Sequence, residues 1–338
     1  LRIIYIKMIK QILISDPTLR DGNHAVAHQL SASQIAIYAE AADKAGVPIV
    51  EVGHGNGLGA SSMQVGLAKE SDTTMLETAR NHLNKSKLGI HVIPGFATIK
   101  RDLIRALDIG VDVVRVASHC TEADITQRHL GFVRERGKEA YGVLMMSHMA
   151  SAKVLLEEAQ KMELYGAEGI IIMDSAGAYL PSDVNEKITV LVEGLKVPVG
   201  FHAHNNLGMA IANSITAIES GAKILDGTAR GFGAGAGNAQ LEVLIAVMEK
   251  MGYITGIDLY KILDASDIAE REIMPSIPVI KSESIVSGLS GVFSGFAKHV
   301  TRISKEYEVD QRDVYRELGK RKVVGGQEDI IIEVVMDL

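Results

Sequence analysis

The chain has 338 residues, 47% of them hydrophobic and 23% charged, a composition that excludes disorder and provides for one large domain plus an appendage, or two ordinary domains. A formal net charge of −7 with no dense Lys/Arg block argues against a nucleic-acid surface, where clustered basic residues must neutralise a row of phosphates. The single cysteine, Cys120, excludes internal disulfides and fits a reducing compartment.

The N-terminal stretch LRIIYIKMIKQILI is apolar, but Lys7 and Lys10 interrupt it and no small-residue cleavage site follows. It is also far short of a membrane span. Residues 1–8 are read as a ragged leader, with Leu1 a rendering of a start codon and Met8 an equal candidate start. The expected location is cytoplasmic.

Eight short runs are apolar throughout, as strands must be when helices cover one face and a packed interior the other. They are QILIS (11–15), PIVEVG (48–53), LGIHVI (88–93), VDVVRVAS (111–118), AYGVLMMS (140–147), GIIIMDS (169–175), VPVGFHA (197–203) and KILDGTA (223–229). Segments with helical spacing lie between them, for example 31–46, 151–166 and 208–221, and many end at a glycine that suits a helix C-cap. Eight strand–helix units over about 240 residues predict an α/β fold, a (β/α)8 TIM barrel. A doubly wound open sheet would carry GxGxxG after its first strand, where this chain has DPTLRDGNH. The predicted barrel spans residues 9–270. Residues 271–338, a proline-broken linker followed by helix and then a second helix over 310–322, form a small C-terminal helical domain. GKRK (319–322), the nearest thing to a basic tract, reads as a solvated helix end.

Polar side chains gather where the strands end. Arg20, Asp21 and His24 follow the first, His54 the second, His119 the fourth and His148 the fifth. Asp174 and Ser175 end the sixth, His202 and His204 the seventh, and Asp226 lies on the eighth. In a barrel all of these meet at one mouth, where active sites of this fold are built. His202 and His204 are two apart on a strand, so both face one way. Closure of the barrel sets strand 1 near strand 7, and Asp21 joins them. Two imidazoles and a carboxylate suit a divalent ion, Mn²⁺, Mg²⁺, Co²⁺ or Zn²⁺, with positions left for substrate. His54, His119 and His148 are read as structural or supporting, and His28, His82, His91, His129 and His299 as ordinary packed or surface histidines. Cys120 is read as a bystander and Asp16 as a ligand-orienting or turn-capping group. No lysine stands at a strand end, which argues against a Schiff base and for a metal that stabilises an enolate.

The blocks DPTLRDGNH, VEVGHGNGLGASS, VVRVASHCTEAD, LMMSHM, MDSAGA, FHAHNNLGMAIANS, GAGAGNAQLEV and VGGQEDIIIEV resemble the 4-hydroxy-2-oxovalerate aldolases, within the superfamily of pyruvate-metabolising barrels that includes the hydroxymethylglutaryl-CoA lyases. The resemblance runs from about residue 11 to the end. It implies a lyase that cleaves a 4-hydroxy-2-oxo acid to pyruvate and an aldehyde, in aromatic hydrocarbon catabolism. Asp21, His202 and His204 would hold the metal, usually Mn²⁺. Arg20 would stabilise the enolate, His24 would be the general base, and Ser175 would touch substrate. It further implies an oligomer paired with an acylating acetaldehyde dehydrogenase. One position departs: the family's tyrosine in GVYSS is Phe293 in GVFSG here, so the ring is kept near the substrate and the hydroxyl lost. Arg230, in a loop that also differs, is expected to add an anionic contact. A Claisen-type synthase condensing an acyl-CoA with a 2-oxo acid, and a catalytically silent channelling subunit, are the competing readings.

Overall fold

Each of the eight apolar runs becomes a parallel strand in the computed structural model, which describes residues 10–338. The leader assigned to residues 1–8 lies outside them. The strands are β1 (Leu13–Leu19), β2 (Ile49–Val52), β3 (Lys87–Val92), β4 (Val113–His119), β5 (Glu139–Met145), β6 (Ile170–Asp174), β7 (Val199–Ala203) and β8 (Ile224–Asp226), and they close in sequence order into a barrel. One helical turn, α1 (Gly22–Ala25), and then α2 (Ala32–Ala45) follow β1. The other strands are followed in turn by α3 (Asp72–His82), α4 (Ile104–Ile109), α5 (Gln127–Glu135), α6 (Ala152–Leu164), α7 (Pro181–Gly194), α8 (Ala210–Glu219) and α9 (Leu241–Lys250).

Local chemistry sets the boundaries. Helix α2 starts at Ser31, whose hydroxyl accepts from Gln34 N in a capping box, and stops at Gly46 with φ 82°. Strand β1 runs beyond its expected end at residue 15. Pro17 has no N–H to donate, the pairing with β2 slips between Asp16 and Leu19, and the Asp16 carboxylate accepts from Thr18 N at 2.9 Å and Tyr38 Oη at 2.6 Å. Asp16 thus holds this irregular turn, and burial lifts its pKa to about 6.

Helix α10 (Leu259–Glu272) packs on α2 and α9 at the barrel's outer wall. Beyond it, α11 (Ser282–Ser290), α12 (Ala297–Glu306), α13 (Gln311–Arg321) and α14 (Ile330–Asp337) surround a second apolar core that includes Val292, Phe296, Val300, Tyr315, Leu318 and Val334. The single helix expected after the linker is two, parted at Gly291 with φ 65°. This second unit lies over the barrel mouth: Ser294 N donates to Ser175 O at 2.9 Å, His148 Nε2–H to Gly291 O at 2.9 Å, and Gln64 Nε2 to Gly326 O at 2.7 Å. No helix among the described residues is long and apolar enough to cross a membrane.

Candidate metal centre and active site

Strand parity decides which side chains enter the barrel. Inward positions near the bottom are apolar, among them Leu13, Ile171 and Ile224. One layer higher the interior turns ionic. Arg115 on β4 reaches Glu51 of β2 at 3.2 Å and Asp226 of β8 at 2.7 Å. Glu51 accepts from Arg20 Nε at 2.6 Å, and Arg20 Nη1 donates to Asp21 at 2.8 Å. Asp226 accepts from His202 Nδ1–H at 2.8 Å, and His202 Nε2 lies 3.5 Å from Asp21 Oδ2. The chain of contacts therefore closes on itself, from Asp21 through Arg20, Glu51, Arg115, Asp226 and His202 back to Asp21, and every member is buried.

This ring holds two cationic and three anionic side chains, so one negative charge is uncompensated while the imidazoles are neutral. Buried charge without a partner is costly, and the ring supplies a place to balance it. The ligand atoms of Asp21, His202 and His204 lie within 4.8 Å of one another. His202 Nε2 is buried without a hydrogen-bond partner. Burial works against a charged His202, yet Asp21 and Asp226 raise its pKa above the ordinary value, the signature of a position that attracts positive charge. Burial likewise opposes ionisation of Asp21 and Glu51. Arg20 and the imidazoles still hold Asp21 well below the carboxylate range, and Arg20 with Arg115 bring Glu51 to about 2. The nitrogen–oxygen donor set fits a divalent cation, and the Asp226 hydrogen bond fixes the tautomer that aims His202 Nε2 inward.

The other expected residues are spread over the mouth, with His24 and Phe293 in two different cavities. His24, on α1, borders a cavity of about 270 Å³ shared with Asn206, Gly235, Lys281 and Ser294. Burial lowers its pKa to about 3, so its ring is neutral. Phe293 lines a second cavity, of about 330 Å³, with Ile93, Phe96, His119, Met146 and Val324. The Ser175 hydroxyl accepts from Met146 N at 2.9 Å, and Cys120 Sγ donates to Met146 O at 3.3 Å. Together they hold Met146 at a left-handed φ of 54°. Burial also pushes the Cys120 thiol up to about 11, as an inert packed cysteine requires. His54 Nε2–H donates to Gly66 O at 3.1 Å and its ring stacks on His28 at 3.6 Å, while His119 Nδ1 pairs with Thr121 Oγ1 at 2.9 Å. Asp174 accepts from Ala178 N and Tyr179 N at the end of β6.

Arg230 corrects its expectation. Its guanidinium is taken by Glu242 at 3.1 Å, Glu270 at 3.0 Å and Asp267, so it fastens the β8–α9 loop to α10, and three carboxylates already outweigh its charge. Sequence reading missed Glu51 and Arg115. The available signal was a charged residue inside an otherwise apolar run at an inward-facing position. It also missed Asn238, whose buried side-chain amide has no partner on either atom and lies beside Gly233 in the loop that packs on Asp21.

Residues 11–269 match the family described as HMGL-like, and residues 278–338 match the DmpG-like communication domain. A 4-hydroxy-2-oxovalerate aldolase of Pectobacterium atrosepticum is 66% identical over 98% of this chain and 96% of its own length. One from Spirochaeta aurantia is 66% identical over 97% of this chain and 96% of its own. Among solved structures, the HMG-CoA lyase of Bacillus subtilis, 18% identical, superposes with a TM-score of 0.69 over 80% of this chain and 96% of that one, which bears on the fold alone. With its closed parallel barrel, its buried aspartate and two histidines and these near-full-length relatives, the chain belongs to the HMGL-like family and, within it, to the 4-hydroxy-2-oxovalerate aldolases.

Proposed function

We propose that this protein is a divalent-metal-dependent lyase that cleaves 4-hydroxy-2-oxovalerate, or a close 4-hydroxy-2-oxo acid, to pyruvate and an aldehyde. The observation that carries the reading is the buried Asp21–His202–His204 triplet with Arg20 bonded to its aspartate. Asp21, His202 and His204 would hold the ion, with Mn²⁺ the proposed occupant. When bound, it supplies Lewis-acid polarisation of the substrate's 2-oxo group.

The chain's own groups account for the rest. His24, neutral and facing a cavity, takes the proton of the 4-hydroxyl as the C3–C4 bond breaks and its electron pair moves into C2–C3. Arg20 has a buried Nη2 without a partner, a fixed donor for the oxygen on which charge develops. The proton held by His24 is available for C3, which completes pyruvate. Ser175 and Phe293 frame the substrate, Ser175 with its remaining lone pair and Phe293 with its ring at the hydroxyl-bearing end.

We further propose a barrel domain over 9–270 and a helical domain over 271–338, an acylating acetaldehyde dehydrogenase as partner, an oligomeric assembly and a cytoplasmic location. The match of residues 278–338 to a communication domain supports the partner. The test is pyruvate release from 4-hydroxy-2-oxovalerate by protein stripped of metal and then given Mn²⁺, with His24→Ala alongside. Restored turnover in the parent and metal binding without turnover in the variant are expected. Metal-independent release, or a fully active variant, overturns the reading.

A further inference from the structure

His91 stands in the ionic layer of the barrel without a partner. On β3 it is in register with Arg115, whose guanidinium crosses the interior to Glu51 and Asp226. Neighbouring residues in a parallel ladder present their side chains to the same face, so the His91 ring enters that layer too. Two residues on, Ile93 lines the cavity that holds Phe293, which sets His91 one step beneath that cavity's wall. The residue is 2% exposed, and its Nδ1 is buried with no hydrogen-bond partner, a state that native interiors seldom leave without a use. Burial first, then Arg20, lowers its pKa to about 3, so the ring is neutral and carries one N–H.

A second orphan lies in the same layer. Arg20 binds Glu51 Oε1 through Nε and Asp21 through Nη1, while its Nη2 is buried and unpaired. Arg115 holds the other Glu51 oxygen, and no hydrogen bond joins Glu51 to the orphaned His91 Nδ1. The HGNG loop after β2 packs against both candidate imidazoles. A Cβ at Gly55 would fall 2.5 Å from His24 Cδ2, and one at Gly57 would fall 2.4 Å from the His91 carbonyl oxygen and 3.2 Å from its ring. Two glycines of one loop, two residues apart, therefore abut His24 and His91.

We propose that His91 is a catalytic residue of the aldol cleavage, donating a hydrogen bond beside Arg20 Nη2 to the C2 oxygen that becomes the pyruvate enolate oxygen. This rests on the function proposed above. His91 keeps its proton throughout, and no bond to the protein forms or breaks; as the C3–C4 electron pair becomes the C2–C3 double bond, the negative charge on that oxygen strengthens the hydrogen bond.

The test uses the full chain loaded with Mn²⁺. His91→Leu keeps approximate volume and removes the donor, and His91→Gln returns an N–H donor. The leucine variant is expected to lose about 10–100-fold in kcat, with KM changed by less than about threefold, and to bind oxalate, a planar mimic of the enolate, correspondingly more weakly by calorimetry. The glutamine variant is expected to recover most of both. Parental kcat in the leucine variant, a loss that tracks lost Mn²⁺, or equal impairment of the two variants overturns the proposal. A measurement on the unsubstituted protein, independent of variant folding, loads it with diamagnetic Mg²⁺ and follows the His91 ring N–H by NMR. A downfield move on adding oxalate is expected, and an unmoved resonance overturns the proposal. Absence of pyruvate release by the Mn²⁺-loaded parent would instead count against the function itself.

Discussion

His202 Nδ1–H donates to Asp226 Oδ2 at 2.8 Å, and that bond leaves Nε2 of the same ring facing Asp21 at 3.5 Å. Asp226 is tied in turn to Arg115, so the orientation of one proposed ligand is inherited from a guanidinium three strands away in chain order. Asp226→Asn puts an amide where the carboxylate accepted, allows the opposite tautomer and leaves Arg115 with one anion fewer. Mn²⁺ affinity measured by titration calorimetry should weaken about 10–100-fold, the usual cost of removing an outer partner of a ligating histidine. Unchanged affinity would mean that His202 is oriented by packing alone.

Much of this site was legible before any coordinates. HxH on a strand and an aspartate after the first strand need only strand parity and barrel closure to meet, and both follow from local apolar patterning. Glu51 and Arg115 were not legible in that way. A lone charge inside an apolar run has no meaning until its opposite number is known, and the two are 64 residues apart in sequence. Arg230 failed for the same reason: three acids that claim it come from α9 and α10, and their approach is set by helix packing rather than by any spacing in the chain. His91 shows the limit most plainly, since a histidine in LGIHVI looks like any packed histidine until its layer is known to be ionic.

Phe293 sits in the apolar part of the mouth, its ring edge-on to Phe296 at 5.8 Å between centroids and against the Gly325 turn. Phe293→Tyr adds a hydroxyl to the ring at the cavity it shares with Ile93, Phe96 and Met146, where the proposed function sets the hydroxyl-bearing end of the substrate. A neutral hydrogen bond of about 0.5–1.5 kcal/mol shifts rates by roughly tenfold at most, so kcat should change little while the preference between the two enantiomers at C4 changes measurably. Chiral chromatography of residual racemic substrate after partial turnover reads this directly; an unchanged enantiomer ratio would place the ring away from C4.

Stability should fall in mild acid because of buried histidines. Burial lowers the pKa of His28 to about 2 and of His54 and His148 to about 4, while the unfolded chain titrates near 6.5. Below that value the unfolded state binds protons that the folded state refuses, so the stabilisation is complete above about pH 6.5 and is lost as pH falls toward 4. At pH 5 each site costs on the order of 1–2 kcal/mol. Urea midpoints should therefore drop between pH 7.5 and 5. His148→Gln, which can still donate to Gly291 O but cannot titrate, should make that slope shallower by up to one proton. An identical slope would show that His148 titrates alike in both states.

Gly55 is fixed by the His24 ring, the proposed base, rather than by its own backbone. Its φ is ordinary for any residue, yet an added Cβ would lie 2.5–2.6 Å from Cδ2, Cγ and Nε2 of His24, inside any permitted contact. The ring cannot retreat freely, because His28 lies edge-on behind it at 5.1 Å and is itself stacked on His54. Gly55→Ala should therefore turn the His24 imidazole out of position and cost about 10²–10⁴-fold in kcat, the range for a displaced general base, while Mn²⁺ affinity stays within about threefold because no proposed ligand touches residue 55. The discriminating measurement is the double variant with His24→Ala. If Gly55 acts only by seating that ring, the second substitution adds almost nothing to the first. Independent, multiplying losses would show that Gly55 serves the site by another route, through its carbonyl oxygen, which accepts from Arg20 Nη1 at 3.3 Å.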